Sequence, residues 1–542
     1  MAKRHNKKVR CFMKLDRLLM LIALSSLCAP MATAQEKAAE KLGKVDFQVS
    51  CTPEAQAQFN RAVAMLHSFW FPQAPKAFAA VLETDPDCAM AHWGIAISQR
   101  ANPLVGPTDS GALKRGLASA EKAKAIGAKT QRERDYIAAI EIFYKDFDKL
   151  DHRTRVLAYE KAMEQLYLAY SQDIEAAIFY ALALNEAIDY TDKTYSRQLK
   201  AAGILEKVYA KQPEHPGVLH YLIHSYDFPP LAARGLPTAK RYASVAPSAP
   251  HALHMPSHIF SMVGMWQESI KSNREALGVA KNYVHAMDFM VYAHLQLAQD
   301  GEAKRLVEES AALYKTQAPT AALTPTGGVL GIHTAFAAIP ARYAIERGAW
   351  ADAAALQPRP STPAADAITY FTRAMGAARK GDVNSARKDI EQLESLKKTL
   401  IKSKQKYWAD QVEIQRRAAA AWVAHAEGKK NEALKLMRSA AALEDASEKH
   451  VAMENRLWPM RELLGEMLLQ VNEPAQALKE FEASFKAAPN RLRGYYGAAK
   501  AAERSDDQKK ARAYYEKLVE LCRQADTERV ELTEAKTFLA NK

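Results

Sequence analysis

HYLIHSYD at residues 220–227 and HMPSHIFS at residues 254–261 decide the reading of this chain. Each carries His-x-x-x-His, and the interval from His220 to His254 equals that from His224 to His258. Side chains four residues apart share one face of a helix, so each stretch offers two imidazoles from a single helix. The shared interval, about 34 residues, is the length of one helix-turn-helix unit in a stacked solenoid. The two pairs then occupy matching places on consecutive units, and the chain is expected to be all-α.

Working outward from the pairs, units counted from residues 182, 216, 250 and 284 place Pro213 and Pro247 at position 32 and Ala201 and Ala303 at position 20. A small residue lets two helices close, and a proline ends the second helix. The same marks recur from Ala55, where Ala62, Ala74, Phe78 and Pro86 take positions 8, 20, 24 and 32. They recur again in Gly465, Ala477, Phe481 and Pro489, answered one unit later by Ala499, Ala511 and Tyr515. Gly348 with Ala353, Gly381 with Ala386 and Gly428 with Ala433 place further hairpins. Residues 112–180 keep a helical period without the repeat marks, and no alternating strand pattern is found. This pattern is that of the tetratricopeptide repeat, which predicts a right-handed superhelix. The predicted organisation is a first solenoid over 35–317, a Thr-, Pro- and Gly-rich linker loop over 318–331, and a second solenoid over 332–542.

Residues 1–34 read differently. Seven cations precede the apolar run Leu18–Leu27, and Ala32-Thr33-Ala34 closes it. A basic start, a short apolar middle and a small-x-small end describe a secretory signal peptide, with mature protein expected from Gln35. The seven cations and Asp16 account for six of the formal +13, which leaves +7 on the remainder. That bias is mild and has no basic block interleaved with aromatics, so nucleic-acid binding is not expected. No later stretch reaches the roughly 18 uninterrupted apolar residues of a membrane span. An exported and, on this reading, periplasmic protein follows. Export brings an oxidising compartment, in which Cys51 and Cys88, just before the first and third predicted helices, could pair or remain two buried thiols.

The histidines carry the candidate chemistry. Eight of fifteen lie between His215 and His294. Position 5 of the four units reads Glu186, His220, His254, Asp288, and position 9 reads Tyr190, His224, His258, Tyr292. Resemblance to tetratricopeptide proteins implies that positions 5 and 9 look into a concave groove. First helices stacked at helix-packing distance would let two His pairs converge on one metal ion, with Glu186 or Asp288 adding a carboxylate. Neutral imidazoles suit zinc, copper, nickel or iron(II). His251 and His285 share position 2 and are secondary groove candidates. Two other readings stand beside this one: the histidines donate hydrogen bonds to a peptide or protein in the groove, or they only preserve packing. His67, His92 and His333 fall outside the ladder. Pro256 is expected to tilt His258. No G-x-S-x-G, HExxH, Walker or dinucleotide glycine motif occurs. A metal-dependent hydrolase would need an open metal position and a base, for which Glu186 or Asp288 could serve.

The stretches CAMAHWGIA, HPGVLHYLIHSYDFP and APHALHMPSHIFSMVGMW resemble a family of exported bacterial tetratricopeptide-repeat proteins without an assigned activity. The C-terminal half matches only the general repeat consensus. The resemblance implies a fold and a marked groove, and it implies no reaction.

Overall fold

Proline begins many of the helices, in the first turn where its missing N–H costs nothing and its fixed φ suits the helix. Pro53–His67, Pro216–Tyr226, Pro250–His254 and Pro363–Arg379 all start this way. Side-chain oxygens cap others: Asp173 accepts from the amides of Glu175 and Ala176, and Thr130 and Glu133 form a reciprocal capping box. In this computed structural model residues 40–106, 108–317, 329–359, 361–453 and 456–541 are described. They form α-helices with one short 3-10 turn, Val451–Met453, and contain no strand. The expected signal peptide and most of the expected linker, residues 318–328, lie outside the described residues. The linker's last three positions already belong to the helix Val329–Glu346. None of the described helices is long and apolar enough to cross a membrane.

The helices pair antiparallel and stack, as a solenoid requires. Pro216–Tyr226 packs on Ala232–Val245, which packs on Pro256–Met262; this helix packs on Trp266–Val279, and so on through Val284–Gln296 and Asp300–Gln317. The alanines at position 20 are buried at these contacts, with Ala201, Ala303, Ala353, Ala386, Ala433, Ala477 and Ala511 all fully covered. Phe481 shows how close the approach is. Its ring lies where a Cβ on Gly497, in the following helix, would come within 2.2 Å, and Phe78 makes the matching contact with Gly94 at 2.3 Å. Ala201→Pro should cost about 3 kcal/mol or more, because it breaks a helical hydrogen bond and a buried contact together. A melting curve like the parent's would contradict that placement.

Three of the four predicted unit starts coincide with helix starts, at Pro216, Pro250 and Val284. The fourth does not. The helix expected from residue 182 runs from Ile174 to Glu186, so it starts about two turns too early for the repeat. The extra residues sit in the turn before Ser196–Tyr209. Ile178 and Leu182, both buried, stand as far from the start of this helix as His220 and His224 stand from the start of theirs. Glu186 ends its helix instead of standing in the ladder.

The two expected solenoid stretches do not stand apart, because the residues from Lys41 onward form one compact unit. C-terminal segments cross over the histidine-bearing helices. Lys449 pairs with Asp227 at 3.1 Å, Arg342 with Asp288 at 2.8 Å, and the Trp266 indole donates to the Asn490 carbonyl at 2.6 Å. What the repeat pattern leaves as an open concave face is thus covered by the chain's own second half. Cys51 and Cys88 are joined by a disulfide, and Cys522 is a buried free thiol.

Candidate metal centre

Six of the ladder histidines form two triads. His220, His224 and His251 bring one ligand nitrogen each into one cluster; His254, His258 and His285 form the other. Each triad takes positions 5 and 9 of one unit and position 2 of the next, so the pattern His-x3-His-x26-His occurs twice at the repeat spacing. A helix boundary falls at Met255, between Pro250–His254 and Pro256–Met262, where the backbone stays in the right-handed helical region, and both rings stand in one cluster.

The Nε2 atoms point inward. His220 Nε2 lies 3.1 Å from both His224 Nε2 and His251 Nε2, and His254 Nε2 lies 3.0 Å from His258 Nε2. Nitrogens bound to one ion at about 2.0–2.1 Å would lie roughly 3.3 Å apart in a tetrahedral arrangement, close to these separations. The Nδ1 atoms point outward to fixed partners. His220 Nδ1–H donates to the His67 carbonyl at 2.6 Å, and His258 Nδ1–H donates to the Asp227 carboxylate at 2.9 Å. His254 Nδ1–H donates to Asn273 Oδ1 at 2.6 Å, an amide oriented by its own donation to the Ser269 carbonyl at 2.8 Å. His251 Nδ1 meets the Tyr283 hydroxyl at 2.9 Å.

These outer bonds fix the tautomer. With the proton of His254 and of His258 committed at Nδ1, both Nε2 atoms present lone pairs to each other across 3.0 Å. Two facing lone pairs repel unless a cation lies between them. A metal ion can fill that place, and so can a proton on His258 paired with the Asp227 carboxylate. Five of the six rings are 0–5% exposed, with only His285 half-buried. Burial pushes His220 down to about 3, and burial with the neighbouring imidazoles holds His224, His251 and His254 well below the ordinary histidine value. These four rings are neutral near pH 7, which is the form that binds metal.

The outer partners matter by themselves. Carboxylate and carbonyl acceptors behind ligating histidines raise their basicity and hold their orientation, and losing one typically costs 10- to 100-fold in metal affinity. Asp227→Asn and Asn273→Ala should each weaken metal binding by about that factor while the helical signal persists. Unchanged affinity in both would mean that the outer bonds are packing contacts only.

Other residues expected at the site are elsewhere. Glu186 is an ion-pair partner of buried Arg100. Asp288 is held by Arg342, and the Tyr292 hydroxyl accepts from Arg491, itself bound by Glu346 and Glu462. None joins the histidines, because other parts of the chain bring arginines to them. Tyr190 lies against Tyr407 and His450. His251 and His285, ranked behind the others on sequence, are full members of the triads.

His67 enters from far along the chain. Its carbonyl holds His220, and its ring joins Glu175 and His215: His67 Nε2 lies 2.8 Å from one carboxylate oxygen and His215 Nε2 lies 2.9 Å from the other. The ring fits because position 2 of that unit is Gly217, where a Cβ would come within 2.5 Å of His67 Nδ1. Burial opposes the Glu175 charge, and the two imidazoles overcome it, holding the carboxyl below its ordinary range. The Gly217/His251/His285 series at position 2 carries the signal of this difference: glycine admits a ring from another helix, and histidine supplies one.

No protein-family model matches the chain, and no curated protein does. Among solved structures it is similar to a human IFIT1 dimer with PPP-AAAA, at 12% identity over 81% of this chain and 91% of that one, TM-score 0.39. It is similar to yeast Tom70 at 11% identity, covering 90% and 95%, TM-score 0.34. A tetratricopeptide repeat protein from Parabacteroides merdae matches at 11% identity, covering 64% and 100%, TM-score 0.26. At such scores the likeness carries no functional argument.

Proposed function

We propose that this chain is an exported, periplasmic helical-repeat scaffold that binds a transition metal in its buried histidine chamber. The observation that carries the reading is the convergence of three imidazole nitrogens in each of the two triads, within 4.8 Å of one another. All-imidazole donors fit zinc, copper, nickel or iron(II). The Cys51–Cys88 disulfide fits an oxidising compartment. The peptide- or protein-binding reading stands on the repeat fold rather than on the triads, five of whose six rings are 0–5% exposed. The hydrolase reading loses both of its suggested bases, since Glu186 and Asp288 are held in ion pairs. Elemental analysis of untagged protein from its native compartment tests the proposal. Bound metal is the expected result; a metal-free protein that also takes up none at micromolar concentration contradicts it.

A further inference from the structure

The two triads touch. His224 and His258 rings lie 5.8 Å apart, as do His251 and His254, one ring from each triad in both cases. A cavity of about 20 Å³ lies between them, lined by His224 and His251 from one triad and His258 and His285 from the other. Asn102, Val105, Gly331, Val451 and Ala452 complete its lining. One water needs about 10–15 Å³ measured this way, which limits an occupant to very few atoms.

From this arrangement we infer that the chamber is a binuclear centre: each triad holds one ion, copper fitting the donors best, and the cavity between takes one small anion that bridges the pair. The inference rests on the metal-binding reading above. Three imidazoles leave an open coordination position on each ion, as catalytic metal sites do. Copper(II) binds nitrogen donors most tightly among the divalent first-row ions. Six neutral imidazoles do nothing to cancel the charge of two divalent ions, and buried charge must be compensated. Among the described residues, the Asp227 carboxylate faces His258 Nδ1 and is shared with Lys449. A monoanion such as hydroxide, small enough for the cavity, supplies the missing charge where both ions can reach it.

The test uses untagged full-length protein, stripped of metal and then given excess copper(II), with unbound metal removed. Two coppers per chain are expected in the parent, and one each in His251→Ala and His285→Ala; His251→Asn and His285→Asn serve where an alanine variant loses its helical signal. The paired ions of the parent should be magnetically coupled, so that its paramagnetic resonance signal per copper is far smaller than that of either single-site variant. Azide, as the probe anion, should change the parent's absorption spectrum at one equivalent per chain. One copper per chain in the parent overturns the binuclear inference and leaves the metal-binding reading standing. No copper overturns both. Two coppers with full uncoupled signals, or no response to azide, overturn the bridged pair.

Discussion

Protein carrying both His224→Ala and His258→Ala should bind no transition metal at micromolar concentration, while keeping its helical content. Each substitution removes one inward Nε2 from a triad, and the two triads lose one ligand each. Loss of a direct ligand should exceed the 10- to 100-fold that an outer partner costs. His425→Ala, outside the chamber, is the control and should bind like the parent. Isothermal titration with zinc or copper on both proteins reads the difference. Metal binding that survives the double change would place the ligands elsewhere.

The second large effect concerns acid. Metal-free protein should unfold in mildly acidic solution, well before ordinary carboxylates titrate. Burial, with Lys449 adding to it, pushes His450 down to about 3, and burial alone accounts for most of the same shift at His220. Such groups stay neutral in the folded chain but take a proton near 6.5 once unfolded. Between those two values the unfolded state binds more protons, so stability is full above about 6.5 and falls as pH drops toward 3. Each contributes a loss of about 1.4 kcal/mol per pH unit in that window. His224, His251 and His254 are shifted in the same direction, chiefly by burial. Against a typical total stability of roughly 5–15 kcal/mol, several such groups suffice to unfold the chain near pH 5. Metal bound at the Nε2 atoms competes with those protons, and the loaded protein should resist to lower pH. Circular dichroism of both forms from pH 7.5 to 4.5 measures this. Coincident curves, or a metal-free form unchanged at pH 5, would contradict the account.

The parts of this site that repeat are legible in the sequence, and the parts that depend on distant chain are not. His220, His224, His254 and His258 declare themselves by a recurring interval, and Pro216 and Pro250 start their helices where the count places them. His251 and His285 obey the same interval, but only the stacking of one unit on the next brings position 2 beside the preceding positions 5 and 9. Glu186 misleads because extra residues in a turn shift its helix without disturbing the first helix of the next unit. Asp288 and Tyr292 mislead because their partners, Arg342 and Arg491, come from the half of the chain with the weaker motifs. The His67 carbonyl that holds His220 lies 153 residues away and is a backbone atom, which no residue pattern marks.

X-ray absorption at the edge of the bound metal, in untagged protein from its native compartment, tests the central claim most directly. A coordination shell dominated by imidazole nitrogens near 2.0–2.1 Å, about three per ion, is expected, lost together with the metal in the His224→Ala, His258→Ala protein. A shell of sulfur or of carboxylate oxygen, or the same nitrogen shell in that double variant, would contradict it.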